Sequence, residues 1–166
     1  RSFETAETPE PAADAADDTG ASHWATNEEE ENARPLVTVV IPVHNTAPFL
    51  DQAIESVVRQ SYRPIELGCY DDGSTDDSLL VLQKWQRRIA DMDDIDMYII
   101  HSPESHKGPS YPRNQIIAAA RGEYLCLLDS DDWMAEGRIE KQLAVARWNK
   151  NAIVGANFWR FPDDST

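Results

Sequence analysis

From Leu36 onward, short apolar runs rich in β-branched residues alternate with segments whose apolar positions recur every three or four residues. LVTVVIPV, Leu36 to Val43, is nearly continuous in apolar side chains, the pattern of a strand covered on both faces. The next segment, about Pro48 to Gln60, sets Phe49, Leu50, Ala53, Ile54, Val57 and Val58 at helical spacing, opposite Asp51, Gln52, Glu55 and Arg59. Pro48 suits its first turn. IELGCY predicts a second strand, closed by DDGSTDDS, where Ser74 and Asp77 have capping-box spacing before a helix bearing Leu82, Trp85 and Ile89. DMYIIH predicts a third strand, Pro112 to Arg121 a helix that Gly122 stops, and EYLCLLD a fourth strand. Ala135 to Lys150 predicts a helix with Ile139, Leu143 and Ala146 inward, and AIVGANFW a fifth strand. This alternation predicts an α/β fold, a mainly parallel sheet with flanking helices.

Residues 1–35 break the pattern. They contain no Leu, Ile, Val or Met, and they hold ten acids and two arginines, a net −8 out of the chain's −15. Such a segment buries too little apolar surface to offset its ordering entropy, so it is expected to be a disordered acidic tail. Its two large aromatics, Phe3 and Trp24, are either solvated or anchors for a partner. Residues 36–166 are the expected folded part. With 30 Asp and Glu against 15 Lys and Arg and no basic stripe, the chain offers no surface for a nucleic-acid backbone. No apolar run approaches the roughly 20 residues that a bilayer span needs. The chain starts on Arg1, so any targeting signal is expected upstream. Cys69 and Cys126 each sit inside an apolar run, the setting of buried free thiols, which favours a reducing, cytoplasmic compartment.

Three acidic clusters follow the tail. DMDDID, Asp91 to Asp96, lies between a helix and the start of a strand, on the side of a parallel sheet where ligands do not bind, and serves as a control for acidity alone. Asp71 with Asp72, and Asp129 with Asp131 and Asp132, lie past the carboxyl ends of apolar strands, where open α/β sheets place ligands. An extended chain at Asp129-Ser130-Asp131 puts both carboxylates on one side, with Ser130 pointing away. Their repulsion calls for compensation. Two readings fit: a hard divalent ion that takes further ligands from water and substrate phosphates, or acids favoured by the N-terminus of the next helix. Asp132 reads as that helix's cap or as outer support for a metal. In DDGST, Asp-Gly is also an ordinary turn signal and Ser74 an ordinary cap. VVIPVHN adds Pro42, which frees a carbonyl from pairing, and His44, which can lie against a base.

VTVVIPVHN, IELGCYDDGSTDDS and GPSYPRNQIIAAARGEYLCLLDSDDW, in that order, resemble the landmarks of family-2 glycosyltransferases with the Rossmann-like GT-A fold. PVHN with AIVGANFWRFPDDST is similar to a beta-1,3-N-acetylglucosaminyltransferase-like branch linked to galactosylation of queuosine in tRNA. The resemblance implies a nucleotide-sugar donor, a UDP-sugar, with Asp72 accepting a hydrogen bond from the uracil and Pro42, Val43 and His44 lining the base. It implies that Asp131, with Asp129 nearby, holds Mn²⁺ or Mg²⁺ against the diphosphate, with Ser130 between them, and that Arg113 lies near the donor phosphates or sugar. A helix-surface arginine paired with an acid is the plainer reading of Arg113. Pro112 and Gly68 depart from the family pattern. The family's catalytic base is expected beyond Thr166, so this chain is expected to be the donor-binding portion, unable to turn over alone, and to meet an acceptor such as tRNA only within a full-length protein.

The expected activity is therefore inverting glycosyl transfer, with the metal assisting the departing nucleoside diphosphate. Two rivals remain. A non-catalytic nucleotide-sugar-binding or interaction module would use the same carboxylates. An Asp-x-Asp phosphotransferase would use Asp129 as nucleophile, although that motif follows the fourth strand and Trp133 stands where a small residue belongs.

Overall fold

The computed structural model describes residues 34–103, 107–149 and 151–157. The acidic tail through Ala33, with Phe3 and Trp24, lies outside them. Among the described residues, β1 (Val37–Val43), α1 (Ala47–Val58), β2 (Ile65–Asp72), α2 (Ser78–Ile89), β3 (Ile95–Ser102), α3 (Ser110–Ala119), β4 (Tyr124–Leu127) and α4 (Arg138–Trp148) follow in order. The strands form one parallel sheet in the order β3-β2-β1-β4. The expected α/β architecture is present.

Period-two alternation sorts the strand residues between two apolar layers. Val37, Val39, Ile41 and Val43 of β1 and Leu67 and Cys69 of β2 face Leu50, Ile54 and Val57 of α1 and Leu82, Trp85 and Ile89 of α2. Val40 and Tyr70 face the other way, toward Ile116 of α3. Each large side chain fully buried in this way contributes about 1.5–3 kcal/mol. Gly68 belongs to the second layer, where a Cβ would lie 2.5 Å from Ile116 Cγ2 and 2.6 Å from Tyr98 Oη. The glycine thus lets α3 lie close on the sheet. Cys69 and Cys126 are buried and free, and burial pushes both thiols well up, which leaves them inert.

Several local expectations are corrected. Ser74 and Asp77 make no capping box: α2 starts at Ser78, Asp77 makes no side-chain cap bond, and Ser74 Oγ instead accepts the Asn45 N–H at 3.0 Å. Helix α3 ends at Ala119, before Arg121 and Gly122, and Ala120 is already extended. The chain is drawn off the helix because the Arg121 N–H donates to Glu66 Oε1 at 2.8 Å and the Gly122 N–H to Thr38 Oγ1 at 3.0 Å. A Cβ at Gly122 would lie 2.5 Å from that hydroxyl, so the glycine serves close approach rather than helix termination.

Helix α4 starts at Arg138, not Ala135, because residues of the α1 end hold the preceding segment open. The Met134 N–H donates to Ser56 Oγ (3.1 Å), Gln60 Nε2 to Ala135 O (2.8 Å) and the Ser61 N–H to Glu136 O (2.9 Å). Gln60 Oε1 then accepts the Ile139 N–H, so a buried glutamine just past the end of α1 supplies the cap. The expected fifth strand is absent over Ala152–Asn157, which is irregular, with Ile153 fully exposed. The Ala152 N–H donates to Asn149 O and Gln142 Nε2 to Val154 O, which keep this segment beside α4 and away from β4. Phe158 and Trp159 of that expectation lie outside the described residues. No helix among the described residues is long and apolar enough to cross a membrane.

Candidate functional site

The strand order reverses beside β1. The chain moves outward to β2 and β3, then returns to β4 on the other side of β1, which leaves a crevice at the carboxyl ends where connections diverge. A cavity of about 230 Å³ occupies it. All eight residues singled out in the sequence line this cavity: Pro42, Val43 and His44 from the end of β1, Asp72 from β2, Arg113 from α3, and Asp129, Ser130 and Asp131 after β4. Gly108, Pro109 and Pro112 complete the wall. A wider groove of about 1340 Å³ adjoins it, sharing Arg113, Asp129 and Asp131 and continuing over Trp133, Arg138 and Val145.

The neighbours Asp71 and Asp72 end β2 on opposite faces. Asp71 is fully buried and faces the α1 and α2 side, with Oδ2 2.8 Å from His101 Nδ1. Asp72 is 1% exposed, and its Oδ2 accepts the Lys107 N–H at 2.8 Å. Its carbonyl takes a hydrogen bond from His44 Nδ1 at 2.9 Å. Gly73 follows with φ +69°, the left-handed turn that the Asp-Gly pair foretold.

The segment Asp129-Ser130-Asp131 is a turn rather than an extended strand end. β4 stops at Leu127, and the Asp132 N–H donates to Asp129 O at 3.1 Å. Ser130 is nevertheless buried, with Asp129 and Asp131 exposed on either side of it. With α4 beginning six residues beyond Asp132, the helix-dipole reading of these acids and the cap role of Asp132 both fall. Burial and then the charges of Asp131 and Asp129 push the Asp132 carboxyl up, against a smaller opposing effect of Arg138. The three carboxylates therefore share one electrostatic neighbourhood. Arg113 answers it directly, with Nη2 2.5 Å from Asp129 Oδ1.

Among the described residues, no three His, Cys, Asp or Glu side chains are grouped as a ready-made metal cage. Two exposed, mutually repelling carboxylates suit a hard cation that keeps water and takes oxygens from an anionic ligand. Three features escaped sequence reasoning: the Lys107 amide on Asp72, the Asp71–His101 pair, and the bonds that Asn45 makes to the loop after β2. Only Gly108-Pro109, a loop signal after β3, hinted at the first.

The glycosyl transferase family 2 model matches residues 38–166. The chain is 36% identical over 124 residues to an uncharacterized glycosyltransferase of Haemophilus influenzae, covering 75% of this chain and 47% of that protein. It is 32% identical over 130 residues to the uncharacterized glycosyltransferase EpsJ of Bacillus subtilis, covering 78% and 36%. It thus spans less than half the length of these relatives. Staphylococcus aureus TarS, solved in complex with UDP, superposes with a TM-score of 0.60 at 23% identity, covering 69% of this chain and 32% of that one. The mannosyltransferase PcManGT of Pyrobaculum calidifontis, solved with GDP-Man and Mn²⁺, superposes with a TM-score of 0.62 at 21% identity, covering 74% and 38%. The phosphotransferase reading of Asp129 has no place beside these matches. The ordered landmarks, the parallel sheet and the match over nearly the whole described region make the chain a member of glycosyl transferase family 2.

Proposed function

We propose that this chain is the donor-binding part of a nucleotide-sugar-dependent inverting glycosyltransferase that takes a UDP-sugar with a divalent cation, Mn²⁺ or Mg²⁺. The observation that carries the reading is the convergence of three separate strand ends and the first turns of α3 on one cavity. Pro42, Val43 and His44 form the apolar wall for the base, and Asp72 stands buried beside them as a hydrogen-bond acceptor. Arg113 and the carboxylates of Asp129 and Asp131 face each other across the end nearer β4. The names of TarS and PcManGT carry UDP and GDP-mannose with Mn²⁺, which supports this class of ligand.

Asp131 and Asp129 would hold the cation, which when bound supplies charge neutralisation to the departing diphosphate. Arg113 adds charge-assisted hydrogen bonds to the phosphate oxygens. Pro42, Val43 and His44 hold the nucleoside so that the anomeric carbon faces the wider groove, where an acceptor hydroxyl, giving its proton to a general base not assigned to these residues, attacks from the side opposite the departing nucleoside diphosphate. That approach inverts the anomeric centre. Calorimetry with UDP and GDP, with and without Mn²⁺, on wild type and Asp131→Ala tests the assignment. UDP binding that needs Mn²⁺ and is lost in the variant is expected; metal-independent binding that survives the substitution would falsify it.

A further inference from the structure

Asn45 sits between β1 and α1 with φ +54°, a left-handed conformation that asparagine tolerates. Its Oδ1 accepts the backbone N–H of Thr75 at 2.8 Å and of Asp76 at 3.4 Å, and the Thr75 hydroxyl at 3.3 Å. Backbone N–H groups only donate, so the amide oxygen has to face them and the amide nitrogen has to face the other way. There Asn45 Nδ2 lies 3.3 Å from His44 Nε2. An amide NH₂ cannot accept, so Nε2 must be the bare, accepting nitrogen of the ring. At the opposite edge, His44 Nδ1 is 2.9 Å from the Asp72 carbonyl oxygen, which cannot donate, so Nδ1 must carry the proton. The two contacts select the same tautomer independently.

We infer that Asn45 is a positioning residue that holds His44 as the neutral, Nδ1-protonated tautomer on the wall of the cavity. With both nitrogens engaged, the imidazole offers the cavity an uncharged ring rather than a cation. Such a wall suits the flat, neutral base of a nucleotide and gives a phosphate no ionic partner. Of the nearby acids, Asp76 accepts the Ala47 and Ser78 N–H groups, and Asp72 the Lys107 N–H. The choice of ligand rests on the nucleotide-sugar reading above; the tautomer does not.

Asn45→Asp separates this role from loop bracing. The variant keeps an oxygen for Thr75 and Asp76 but turns the donor facing Nε2 into an acceptor. Long-range proton–nitrogen correlation spectra of the histidine rings near neutral pH are the readout, since bare and protonated ring nitrogens resonate in separate regions. In wild type, the His44 signals are expected to show a protonated Nδ1 and a bare Nε2. In Asn45→Asp, Nε2 is expected to move to the protonated region while the circular dichroism spectrum is unchanged. A protonated Nε2 in wild type overturns the assignment without any variant, and a bare Nε2 in a folded Asn45→Asp overturns the role of Asn45. Titrating UDP into the same wild-type sample with diamagnetic Mg²⁺ isolates the other premise. Movement of the His44 signals places the base on this ring; UDP that leaves every histidine signal unmoved refutes the nucleotide reading and leaves the tautomer result standing.

Discussion

Arg113 and Asp129 satisfy each other before any ligand arrives, and this makes the effect of removing the arginine differ in sign between two ligands. The pair is close, at 2.5 Å, yet its side chains are 31% and 52% exposed, so its own contribution to stability is about 0–1 kcal/mol. A cation that uses Asp129 either displaces that arginine from Oδ1 or binds the other oxygen beside it, and in both cases has to tolerate its positive charge nearby. A doubly charged ion about 5 Å from a unit charge in a water-like medium meets a repulsion of about 1–2 kcal/mol. Arg113→Ala should therefore tighten the binding of Mn²⁺ alone by about 5–30-fold, since every 1.4 kcal/mol is a factor of ten. The same substitution removes charge-assisted hydrogen bonds to the diphosphate, each worth about 1.5–3 kcal/mol, and UDP at saturating Mn²⁺ should bind at least about tenfold more weakly. Calorimetry with Mn²⁺ alone and then with UDP measures both on one protein. Arg113→Lys keeps the charge and loses the planar fork, so it should restore most of the metal effect and little of the UDP effect. Mn²⁺ affinity that is unchanged or weaker in Arg113→Ala would sink the exchange of partners argued here.

Two further outcomes concern the sheet that carries the cavity. Glu66 is fully buried, and burial pushes its carboxyl up, but bonds from the Arg121 N–H, the Arg121 side chain and the Thr38 hydroxyl, together with the Arg121 charge, outweigh this and leave it below its ordinary value near 4.5. A depressed carboxylate stabilises the fold above its unfolded value and loses that contribution as pH falls through the folded one, so wild type should weaken in urea below about pH 4.5. Glu66→Ala, which removes the acceptor of the buried Thr38 hydroxyl proton and of the Arg121 N–H, should lower stability by about 2–4 kcal/mol at pH 7 and flatten that acid slope; an unchanged slope refutes the assignment. Gly68→Ala forces a methyl to 2.5 Å from Ile116 and should cost about 1–3 kcal/mol in thermal denaturation, with weaker UDP binding because α3 carries Arg113; a melting temperature equal to wild type would contradict the packing described.

The parallel strands and the cavity wall were legible because both follow from local pattern. An apolar run long enough for a two-sided strand, followed by carboxylates, identifies the ligand end of an α/β sheet without any knowledge of long-range contacts. Seven of the eight singled-out residues that line the cavity come from such strand ends; Arg113, on α3, was legible only through the family resemblance. What stayed hidden depends on partners far away in sequence. Helix α4 reads as starting at Ala135 because Ala and Glu are good helix formers, and only partners far earlier in the chain, Ser56, Gln60 and Ser61, hold the segment before Arg138 out of it. Helix α3 reads as reaching Arg121 for the same reason, until Glu66 and Asp96 claim that arginine. The fifth strand failed on a different ground. An apolar run is a strand only when a neighbour pairs with it, and Ala152–Asn157 is hydrogen-bonded to the α4 side.

The control cluster DMDDID carries a correction of its own. It lies at the amino end of the sheet, as expected, but Asp96 is not idle, because Arg121 bridges it to Glu66, and Glu66 reaches Thr38. Thr38, Glu66 and Asp96 are register partners on β1, β2 and β3, so one polar row crosses three strands at that end. Arg121 also follows α3 by two residues, which ties the end of that helix to the same row. The opposite end needs adjustable loops, and there the contacts run between loops: Asn45 to Thr75, Thr46 to Ser78, Ala47 to Asp76. A sheet locked at its amino end by a buried carboxylate can carry such loops at its carboxyl end without losing register, because register is set by pairing that the loops do not share. Acidity therefore has opposite uses at the two ends. Glu66 is compensated within the chain at both oxygens, whereas Asp129 and Asp131 stand exposed at the other end, where the proposed cation would answer their charge.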